Sequence, residues 1–442
     1  MNLLATWASR MAAGHPDAVA LIASNEKLSY RQLLDRAQAQ AQGVAPATLL
    51  APQPASALEL ALAAYAASLL GRVLLPLGPA LSAARHAALL QTAAALPAGI
   101  ELLIATSGTQ GEPKAVMLSD ANLAAGVVAS QAILPLKPGD VWLDCLPLHH
   151  IGGLAILYRC AGAGAAVLLH EGFDAQRVWD DLSSRNVTHI SLVPAMLARL
   201  LDIAHGALPP ATLKYALVGG GALSAALAGR ARAAGWPLCV SYGMSETGSQ
   251  LATLFPVPED WQPGSVGAPL PGFEIRLAGK TGEAGGQTGI IQVRGPAVMA
   301  GYANSGRELG RGLIDGWLTT GDLGKIDAAG RLHVLGRRDD MLVSGGTNVH
   351  PAEVEAQLLS CPGVDDAAVT ALPDEIWGDR LVALVVGDAE PVRLDAWCRQ
   401  HIAGASRPRL LRRVPALPRN ALGKLERSKL RQMAQEAIND EP

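Results

Sequence analysis

The residues best suited to chemistry cluster first in a loop near position 110. Within nine positions, the segment IATSGTQGEPKAVMLS (104–119) places six candidate phosphate ligands: Thr106, Ser107, Gly108, Thr109, Gly111 and Lys114. Glycine lets backbone N–H groups converge on an anion, hydroxyls add hydrogen-bond donors, and lysine adds charge. A Walker A loop is excluded, because only two residues separate the glycines and a proline precedes the lysine. The segment predicts either a phosphate loop of another class or a solvated turn.

Two further segments carry groups that fit a nucleotide. YALVGGGALS (215–224) ends an apolar run with three glycines, Gly219, Gly220 and Gly221, where a planar ring can lie against backbone. The alternative there is an ordinary strand-to-helix turn. SYGMSETGSQ (241–250) combines Tyr242 as a stacking face, Glu246 as a hard oxygen ligand for Mg²⁺, and Thr247 as a phosphate donor.

Three charged residues complete the set. Asp322 stands between tight turns in GWLTTGDLGKID, where its carboxylate can accept from both hydroxyls of a ribose. Arg337 in GRRDD is a candidate phosphate or ribose donor, and Lys424 lies on a glycine-bearing loop in PRNALGKLER. Each residue alone is more often a surface or capping residue. The order of all these segments in one chain is what indicates a nucleotide site.

The elements that must position these residues follow an α/β pattern. Between about residues 18 and 250, strand-like runs such as AVALI, AAVLLH, HISLVP and YALV alternate with helical stretches. Such alternation predicts a largely parallel sheet covered by helices, with Ser29 capping one of them. Residues 262–335 change to short runs split by Gly and Pro, which predicts a β-rich subdomain. The remaining hundred or so residues read as a compact α+β unit.

Composition excludes several classes of protein. The chain has 442 residues, a formal net charge of −3 and a pI of about 6.4, which argues against nucleic-acid binding. Five scattered cysteines form no paired motif, so neither disulfides nor structural zinc are expected, and a reducing cytoplasm fits. The apolar stretch 57–78 contains Glu59 and Arg72, which favours a buried helix over a membrane span. The sequence allows a homodimer but marks no interface for one.

The ordered motifs resemble the adenylate-forming superfamily of acyl-CoA synthetases, peptide-synthetase adenylation domains and luciferases. The resemblance extends from AVALIASNEKLSYRQLL to GKLERSKL, nearly the whole chain. It implies a large N-terminal domain, residues 1–336, and a small mobile C-terminal domain, residues 337–442, with a hinge at Asp339. It also implies two half-reactions, in which a carboxylate and MgATP give acyl-AMP and pyrophosphate, and a thiol, usually of CoA, then takes the acyl group.

The resemblance assigns a role to each motif. Residues 106–114 would hold the β- and γ-phosphates of ATP, and the glycines 219–221 with Tyr242 and Gly243 would frame the adenine. Glu246 would ligate Mg²⁺, Thr247 would contact the α-phosphate, Asp322 would hold the ribose, and Arg337 would support the nucleotide. Lys424 would bridge the carboxylate and the α-phosphate. After pyrophosphate leaves, the small domain would rotate and bring Ser344, Gly345 and Gly346 alongside the pantetheine of CoA.

The acid is expected to bind near the segment LPLHHIGGLAILYRCAGAG (146–164). By resemblance His150 borders the carboxylate, although a core or capping histidine is the alternative. Arg159 lies in an otherwise apolar helix, where a buried charge needs a partner. These features resemble the o-succinylbenzoate–CoA ligases of menaquinone synthesis, in which Arg159 would bind a second carboxylate and Ser249 and Gln250 would line the pocket.

Three alternatives remain open at this stage. Arg159 could reach solvent, and the substrate would then be another aryl or acyl acid. The thiol could belong to a carrier protein rather than to CoA. The chain could also be a regulatory nucleotide-binding protein on a decayed ligase fold, although Lys424, Glu246 and Asp322 together argue against that.

Overall fold

The fold is taken from a computed structural model, described over residues 1–24, 26–42, 49–52, 56–78, 83–92, 96–107, 113–281, 288–303, 308–344, 347–374, 378–419 and 425–439. Within those ranges the α-helices are α1 (Leu3–Gly14), α2 (Tyr30–Gln42), α3 (Ala57–Leu69), α4 (Ala83–Thr92), α5 (Asp120–Gln131), α6 (Ile151–Ala163), α7 (Ala175–Ser184), α8 (Pro194–Ile203), α9 (Ala225–Ala233), α10 (Pro351–Leu358), α11 (Pro391–His401) and α12 (Arg427–Asn439).

Strands in the first part of the described chain are β1 (Val19–Ala23), β2 (Glu26–Ser29), β3 (Leu49–Leu50), β4 (Val73–Leu74), β5 (Ile100–Ser107), β6 (Pro113–Ser119), β7 (Val141–Asp144), β8 (Ala166–Leu169), β9 (His189–Leu192), β10 (Tyr215–Val218), β11 (Leu238–Met244) and β12 (Ser249–Leu254). Those that follow are β13 (Ser265–Gly267), β14 (Glu274–Thr281), β15 (Thr288–Arg294), β16 (Gly301–Tyr302), β17 (Leu313–Ile314), β18 (Trp317–Ile326), β19 (Leu332–Arg337), β20 (Leu342–Ser344), β21 (Thr347–Val349), β22 (Val364–Asp374), β23 (Gly378–Gly387) and β24 (Leu410–Arg413).

The first sheet is the parallel sheet that the alternating pattern predicts. Its order is β12-β11-β10-β9-β7-β8-β1-β2, parallel from β11 to β1 and antiparallel only at its two edges. Strands β7, β8 and β9 are buried at every residue, as expected when helices cover both faces. Ser29 caps α2 as predicted, because its hydroxyl accepts from the Gln32 N–H while the Gln32 amide oxygen accepts from the Ser29 N–H.

A second sheet, β16-β6-β5-β4-β3, carries the ends of the phosphate loop on β5 and β6. The stretch 57–78 forms helix α3, with nine buried residues, followed by strand β4, as predicted. Among the described residues, every helix is too short or too polar to cross a bilayer. The apolar character of α3 therefore reflects its place in the core.

A third, antiparallel sheet occupies the region predicted to be β-rich. Its order is β13-β19-β18-β15-β14, with β17 paired to β18. One strand from that region, β16, belongs to the second sheet instead of the third. It pairs with β6, with Tyr302 opposite Val116. The pairing of β16 with β6 brings Tyr302 close to Lys114, where the phosphate loop ends.

The fourth sheet, β21-β20-β23-β22 with β24 beside β23, belongs to the C-terminal part of the chain. Its two faces are covered by separate apolar clusters, one against α10 and α11 and the other against α12. The predicted fold class is confirmed: an α/β chain with a large N-terminal part that includes a β-rich region, followed by a small α+β part.

A buried carboxylate fastens the first helix to the second sheet. Glu101, at the start of β5, accepts hydrogen bonds from the backbone N–H groups of Leu3 (3.0 Å) and Leu4 (3.2 Å). The hydroxyls of Ser68 and Tyr158 donate to the same carboxylate, each at 3.2 Å. Burial raises the pKa of Glu101 above its usual value, against the effect of these donors. The carboxylate therefore serves as an N-terminal cap supplied from outside helix α1.

Candidate active site

The phosphate loop connects two antiparallel strands. Thr106 on β5 lies opposite Lys114 on β6, and its hydroxyl is 3.4 Å from the Lys114 carbonyl oxygen. This pairing fixes both ends of the loop, so the lysine and the first threonine face one another at its mouth. Gly108, Thr109 and Gly111 lie outside the described residues, and of Ser107 only the backbone is described.

Glu246 and Lys114 are brought together by a residue that the sequence analysis missed. The phenol of Tyr302 donates a hydrogen bond of 2.8 Å to Glu246 Oε1, and its ring lies beneath the Lys114 ammonium, 5.2 Å from Nζ to the ring centroid. Burial and the Glu246 carboxylate raise the pKa of Tyr302, so the phenol is protonated and donates at neutral pH. In the sequence this tyrosine is part of a Gly301–Tyr302 pair, to which no role was assigned.

The donor chemistry at Glu246 suits a magnesium ion that arrives with ATP. Among the described residues there is no group of three or more His, Cys, Asp or Glu side chains that could form a complete metal cage. Magnesium commonly binds through one or two carboxylates together with substrate phosphates and water. A single carboxylate next to the phosphate loop fits that pattern, and Glu246 would supply it.

Thr247 follows Glu246 in a short 3₁₀ turn, residues Ser245–Thr247, and its side chain is fully buried. Its hydroxyl accepts from the Met244 N–H and lies within donating distance of the Met244 and Ser249 carbonyls, all at 3.1 Å. In this structure the hydroxyl therefore stabilises the turn that presents Glu246. Its contact with the α-phosphate stays a prediction.

Gly243 permits the close approach that shapes this turn. A Cβ atom at position 243 would lie 1.7 Å from the Ser249 carbonyl oxygen and 2.9 Å from the Gln250 Cα. The register between β11 and β12 shifts at this point, and Ser249 adopts a positive φ of 111°. Only glycine fits here, because the two backbones are in contact where a side chain would begin.

Tyr242, Asp322 and Arg337 form a second cluster that joins the first sheet to the third. The Tyr242 phenol donates to Asp322 Oδ2 at 2.5 Å, and Arg337 Nη1 lies 3.5 Å from Asp322 Oδ1. Asp322 and Arg337 are directly paired across β18 and β19, and the guanidinium packs against Gly321. Burial and the Asp322 carboxylate raise the pKa of Tyr242 well above its usual range, so the phenol remains a donor.

The glycine segment forms a strand-to-helix turn beside this cluster. The Gly219 N–H donates to the Leu192 carbonyl at 3.1 Å, and Gly220 has a positive φ of 74°. A Cβ atom at Gly219 would lie 3.1 Å from the Ser241 carbonyl oxygen, so the turn runs close to the backbone preceding Tyr242. The contact of Gly219, Gly220 and Gly221 with adenine stays a prediction.

Two adjacent histidines lie at the start of helix α6. His150 is the N-cap residue, but its side chain makes no capping hydrogen bond. The alternative that His150 serves to cap helix α6 is therefore not supported. The His149 and His150 rings are 4.3 Å apart, and a Cβ at Gly78 would lie 2.9 Å from the His149 ring. Burial lowers the pKa of His149 below its usual value.

Arg159 is buried, with 4% of its surface exposed, so the solvent-reaching alternative is wrong for this structure. Its guanidinium carbon lies 5.3 Å from the centroid of the Trp142 ring, a cation–π contact. Burial lowers the pKa of Arg159 to about 10, so the side chain is still charged at neutral pH. No described residue forms a hydrogen bond or ion pair with the guanidinium.

Asp144 is an acidic group that interacts electrostatically with Arg159 without forming a hydrogen bond or ion pair to it. Asp144 is fully buried on β7, and its Oδ1 accepts from the Leu146 N–H at 3.0 Å while Oδ2 has no hydrogen-bond partner among the described residues. Burial raises the pKa of Asp144 well above its usual range, which favours the neutral acid. Arg159 therefore presents a buried positive charge with free hydrogen-bonding capacity.

Gln250 is engaged within the protein at both ends of its amide. Its Oε1 accepts from the Ser130 hydroxyl at 2.7 Å and its Nε2 donates to Thr253 Oγ1 at 2.8 Å. Thr253 in turn contacts the Ser241 hydroxyl at 3.1 Å. This network holds the Gln250 amide inside the protein, and its contact with the acid, like that of Ser249, stays a prediction.

The segment predicted to be the hinge connects β19 to β20 as an exposed 3₁₀ turn, Arg338–Asp340, which includes Asp339. Arg427 reaches this turn from α12, with Nε 3.4 Å from Asp340, and also pairs with Glu355 at 2.7 Å. Ser344 is buried at the end of β20. Gly345, Gly346 and Lys424 lie outside the described residues, so their predicted roles stay predictions.

Comparison with known proteins matches two family models to the chain, the AMP-binding enzyme family over residues 97–303 and the AMP-binding enzyme C-terminal domain over residues 353–424. A 2-succinylbenzoate–CoA ligase of Bacillus licheniformis is 40% identical over 328 residues, which cover 74% of this chain and 68% of that protein.

Two solved structures extend the comparison over nearly the whole chain. The o-succinylbenzoate–CoA synthetase (MenE) of Bacillus subtilis, in complex with the acyl-adenylate intermediate OSB-AMP, is 31% identical with a TM-score of 0.85, covering 97% of this chain and 98% of that one. A double mutant of that synthetase bound with the product analogue OSB-NCoA is also 31% identical, with a TM-score of 0.69 and 98% of both chains covered. The chain belongs to the AMP-binding enzyme family, as the ordered motifs and the arrangement of the site indicate.

Proposed function

We propose that this protein is an ATP-dependent ligase that joins o-succinylbenzoate to CoA through an acyl-adenylate, as one step of menaquinone biosynthesis. The names of its relatives support this reaction, and one structural observation supports the substrate. That observation is Arg159, a buried guanidinium that is charged at neutral pH and has no hydrogen-bonding partner among the described residues.

Burial of an unpaired charge is costly, so such a group is expected only where a ligand satisfies it. Arginine is well suited to a carboxylate, because its planar guanidinium forms two parallel charge-assisted hydrogen bonds. A substrate with two carboxylates would use one for reaction and the other for recognition by Arg159. A monocarboxylic acid would leave the guanidinium without a partner.

In the first half-reaction, one carboxylate oxygen attacks the α-phosphorus of ATP and the bond to pyrophosphate breaks. Lys114 at the mouth of the phosphate loop would hold the departing phosphates. Glu246 would hold the Mg²⁺, which offsets phosphate charge as the two anions approach. The Tyr242–Asp322–Arg337 cluster would bind the ribose, with the Asp322 carboxylate accepting from its hydroxyls.

In the second half-reaction, the CoA sulfur attacks the acyl carbon and AMP leaves. We propose that residues 337–442 turn about Asp339 between the two steps, removing Lys424 and bringing Ser344, Gly345 and Gly346 to the pantetheine. The higher TM-score to the OSB-AMP complex than to the OSB-NCoA complex, at equal identity, supports an arrangement suited to adenylation.

We also propose that the enzyme works in the cytoplasm. The five cysteines are all free and buried, which fits a reducing compartment. Homodimer formation is a separate proposal, which sedimentation at several protein concentrations would test.

The deciding experiment is a panel of acids assayed for ATP–pyrophosphate exchange and for thioester formation. The panel should contain o-succinylbenzoate, 3-benzoylpropionate, benzoate and a fatty acid, each tested with CoA and with a phosphopantetheinylated carrier protein. We expect ATP–pyrophosphate exchange to be much faster with o-succinylbenzoate than with any monocarboxylic acid. Thioester formation from o-succinylbenzoate should require CoA and should not occur with the carrier protein. Equal turnover of a monocarboxylic acid would contradict the proposed substrate, and turnover only with the carrier protein would contradict the proposed acceptor.

A further inference from the structure

We propose that Tyr302 is a positioning residue that holds both the Glu246 carboxylate for Mg²⁺ and the Lys114 ammonium for phosphate. Its hydroxyl and its ring would do these two jobs separately, the hydroxyl through a 2.8 Å hydrogen bond and the ring through a contact of 5.2 Å. The inference rests on the proposed function, because it concerns the binding of MgATP.

Tyr302 is itself held firmly enough to position other groups. It lies opposite Val116 in the antiparallel pair of β16 and β6, and its N–H donates to the Arg311 carbonyl at 2.9 Å. Its ring packs against Gly312, where a Cβ atom would lie 2.6 Å from the ring carbon Cδ2. The backbone and one ring edge are thus fixed by neighbours that take no part in the site.

The hydrogen bond from Tyr302 uses one of the two oxygens of the Glu246 carboxylate. The Tyr302 hydroxyl donates to Oε1, which leaves Oε2 as the oxygen available to a metal ion. The backbone carbonyl of Glu246 also accepts from the Met299 N–H at 2.8 Å, so both the main chain and the side chain are oriented before a ligand arrives. A carboxylate held in one rotamer binds a metal ion more tightly than a freely rotating one.

The ring acts on a different partner. Lys114 is exposed, and its four-carbon side chain would otherwise sample many rotamers. An aromatic face near the ammonium narrows that range and favours positions above the ring. Because the lysine contact needs only the ring, removal of the hydroxyl should affect Mg²⁺ without affecting Lys114.

Calorimetric titration of a non-hydrolysable ATP analogue, at a series of Mg²⁺ concentrations and with no acid present, tests this division. Tyr302→Phe should raise the Mg²⁺ concentration needed for half-maximal binding about tenfold, with little change in affinity at saturating Mg²⁺. Tyr302→Leu should show the same shift and, in addition, weaken binding at saturating Mg²⁺ about threefold. Tyr30→Phe is the control, because it also removes a hydrogen-bonded tyrosine hydroxyl, one that donates to the Cys160 and Ala165 carbonyls far from the site.

Gly312→Ala provides a second test, since the added Cβ would displace the Tyr302 ring while residue 302 stays tyrosine. It should also raise the Mg²⁺ requirement, whereas Gly310→Ala should not, because Gly310 shares a positive φ (77° against 94°) but has no atom within 4 Å of the new Cβ. An unchanged Mg²⁺ dependence in Tyr302→Phe, or an equal shift in Tyr30→Phe, would overturn the inference while leaving the proposed function intact. Failure of the wild-type protein to bind the analogue at any Mg²⁺ concentration would instead contradict the proposed function.

Discussion

The Tyr242 phenol and the Asp322 carboxylate form a 2.5 Å hydrogen bond between residues that are 80 positions apart in the sequence. The bond joins the last parallel strand of the first sheet to the antiparallel third sheet. Asp322 is thereby held between a neutral donor and the Arg337 guanidinium. The geometry of a ribose contact at Asp322 therefore depends on both sheets keeping their relative position.

Asp322→Asn should weaken binding of a non-hydrolysable ATP analogue about 100-fold, because the amide has lost the charge that strengthens two hydrogen bonds to the ribose. Tyr242→Phe should weaken binding about tenfold, since Asp322 keeps only Arg337. Calorimetry measures both, with Asp315→Asn, in the exposed turn between β17 and β18, as the control. Equal affinities for all three variants would rule out the ribose role.

Arg159→Met should lower kcat/KM for o-succinylbenzoate about 100-fold and leave turnover of 3-benzoylpropionate within about threefold of its wild-type value. Methionine fills most of the same volume without a charge, so the buried site is not left with an unpaired polar group. Steady-state kinetics with both acids measures the effect, and Arg230→Met at the surface is the control. A similar loss for both acids would make Arg159 a structural residue.

Lys424→Ala should abolish formation of acyl-AMP, yet leave thioester formation from supplied acyl-AMP largely intact. The reason is that a cation is required where the two anions meet, and only the first half-reaction has that arrangement. Pyrophosphate exchange and single-turnover thioester assays separate the two steps. Lys429→Ala is the control, because Lys429 is exposed and paired with Glu426; equal loss of both steps in Lys424→Ala would contradict the assignment.

The fully buried His189 should make the protein lose stability in mild acid. Burial lowers its pKa from 6.5 to about 4, so the unfolded state takes up the proton first as the pH falls. The His189 contribution to stability should decrease between pH 6.5 and 4, by up to about 3 kcal/mol, whereas the raised pKa values of Glu101 and Asp144 act in the opposite direction. His189→Phe keeps an aromatic ring between Trp142 and Tyr215 and should flatten this slope in denaturant titrations. The same change at exposed His15 should leave the slope as in the wild type.

Gly243→Ala should destabilise the protein by more than about 3 kcal/mol or displace the Glu246 turn, because its Cβ would meet the Ser249 carbonyl at 1.7 Å. Gly229→Ala, in the middle of α9 with no atom within 4 Å of the new Cβ, should be neutral or stabilising by up to about 1 kcal/mol. Chemical denaturation of both variants gives the comparison. Matching stabilities would show that the backbone contact at Gly243 can relax.

Local signals were enough to predict the elements that carry the site. The alternation of strands and helices, the capping by Ser29 and the buried nature of α3 are all confirmed. These features depend on residues close in sequence, where periodicity and cap chemistry act. The proximity of Asp322 and Arg337 could also be expected from the sequence, since the two residues lie on consecutive strands of one β-rich region.

Contacts between segments that are far apart in sequence could not be predicted from local sequence patterns. Tyr302 reaches Glu246 only because β16 leaves the third sheet and pairs with β6, and no local pattern marks that exchange. Likewise, a buried arginine above Trp142 depends on how α6 packs against β7. Thr247 and Gln250 have polar side chains that suit a ligand, yet their neighbours already satisfy them. Sequence identifies the available chemistry, while tertiary packing decides which groups are free to use it.

The Glu101 carboxylate connects helix α1 to strand β5, which leads to the phosphate loop. Strand β5 is eight residues long, with Glu101 near one end and Ser107, where the phosphate loop begins, at the other. Trimming the first few residues would remove two of the four donors that surround this buried group, at a cost of roughly 1–3 kcal/mol for each one left unreplaced. Where an expressed fragment starts is therefore also a choice about how firmly strand β5, which leads to the phosphate loop, is held.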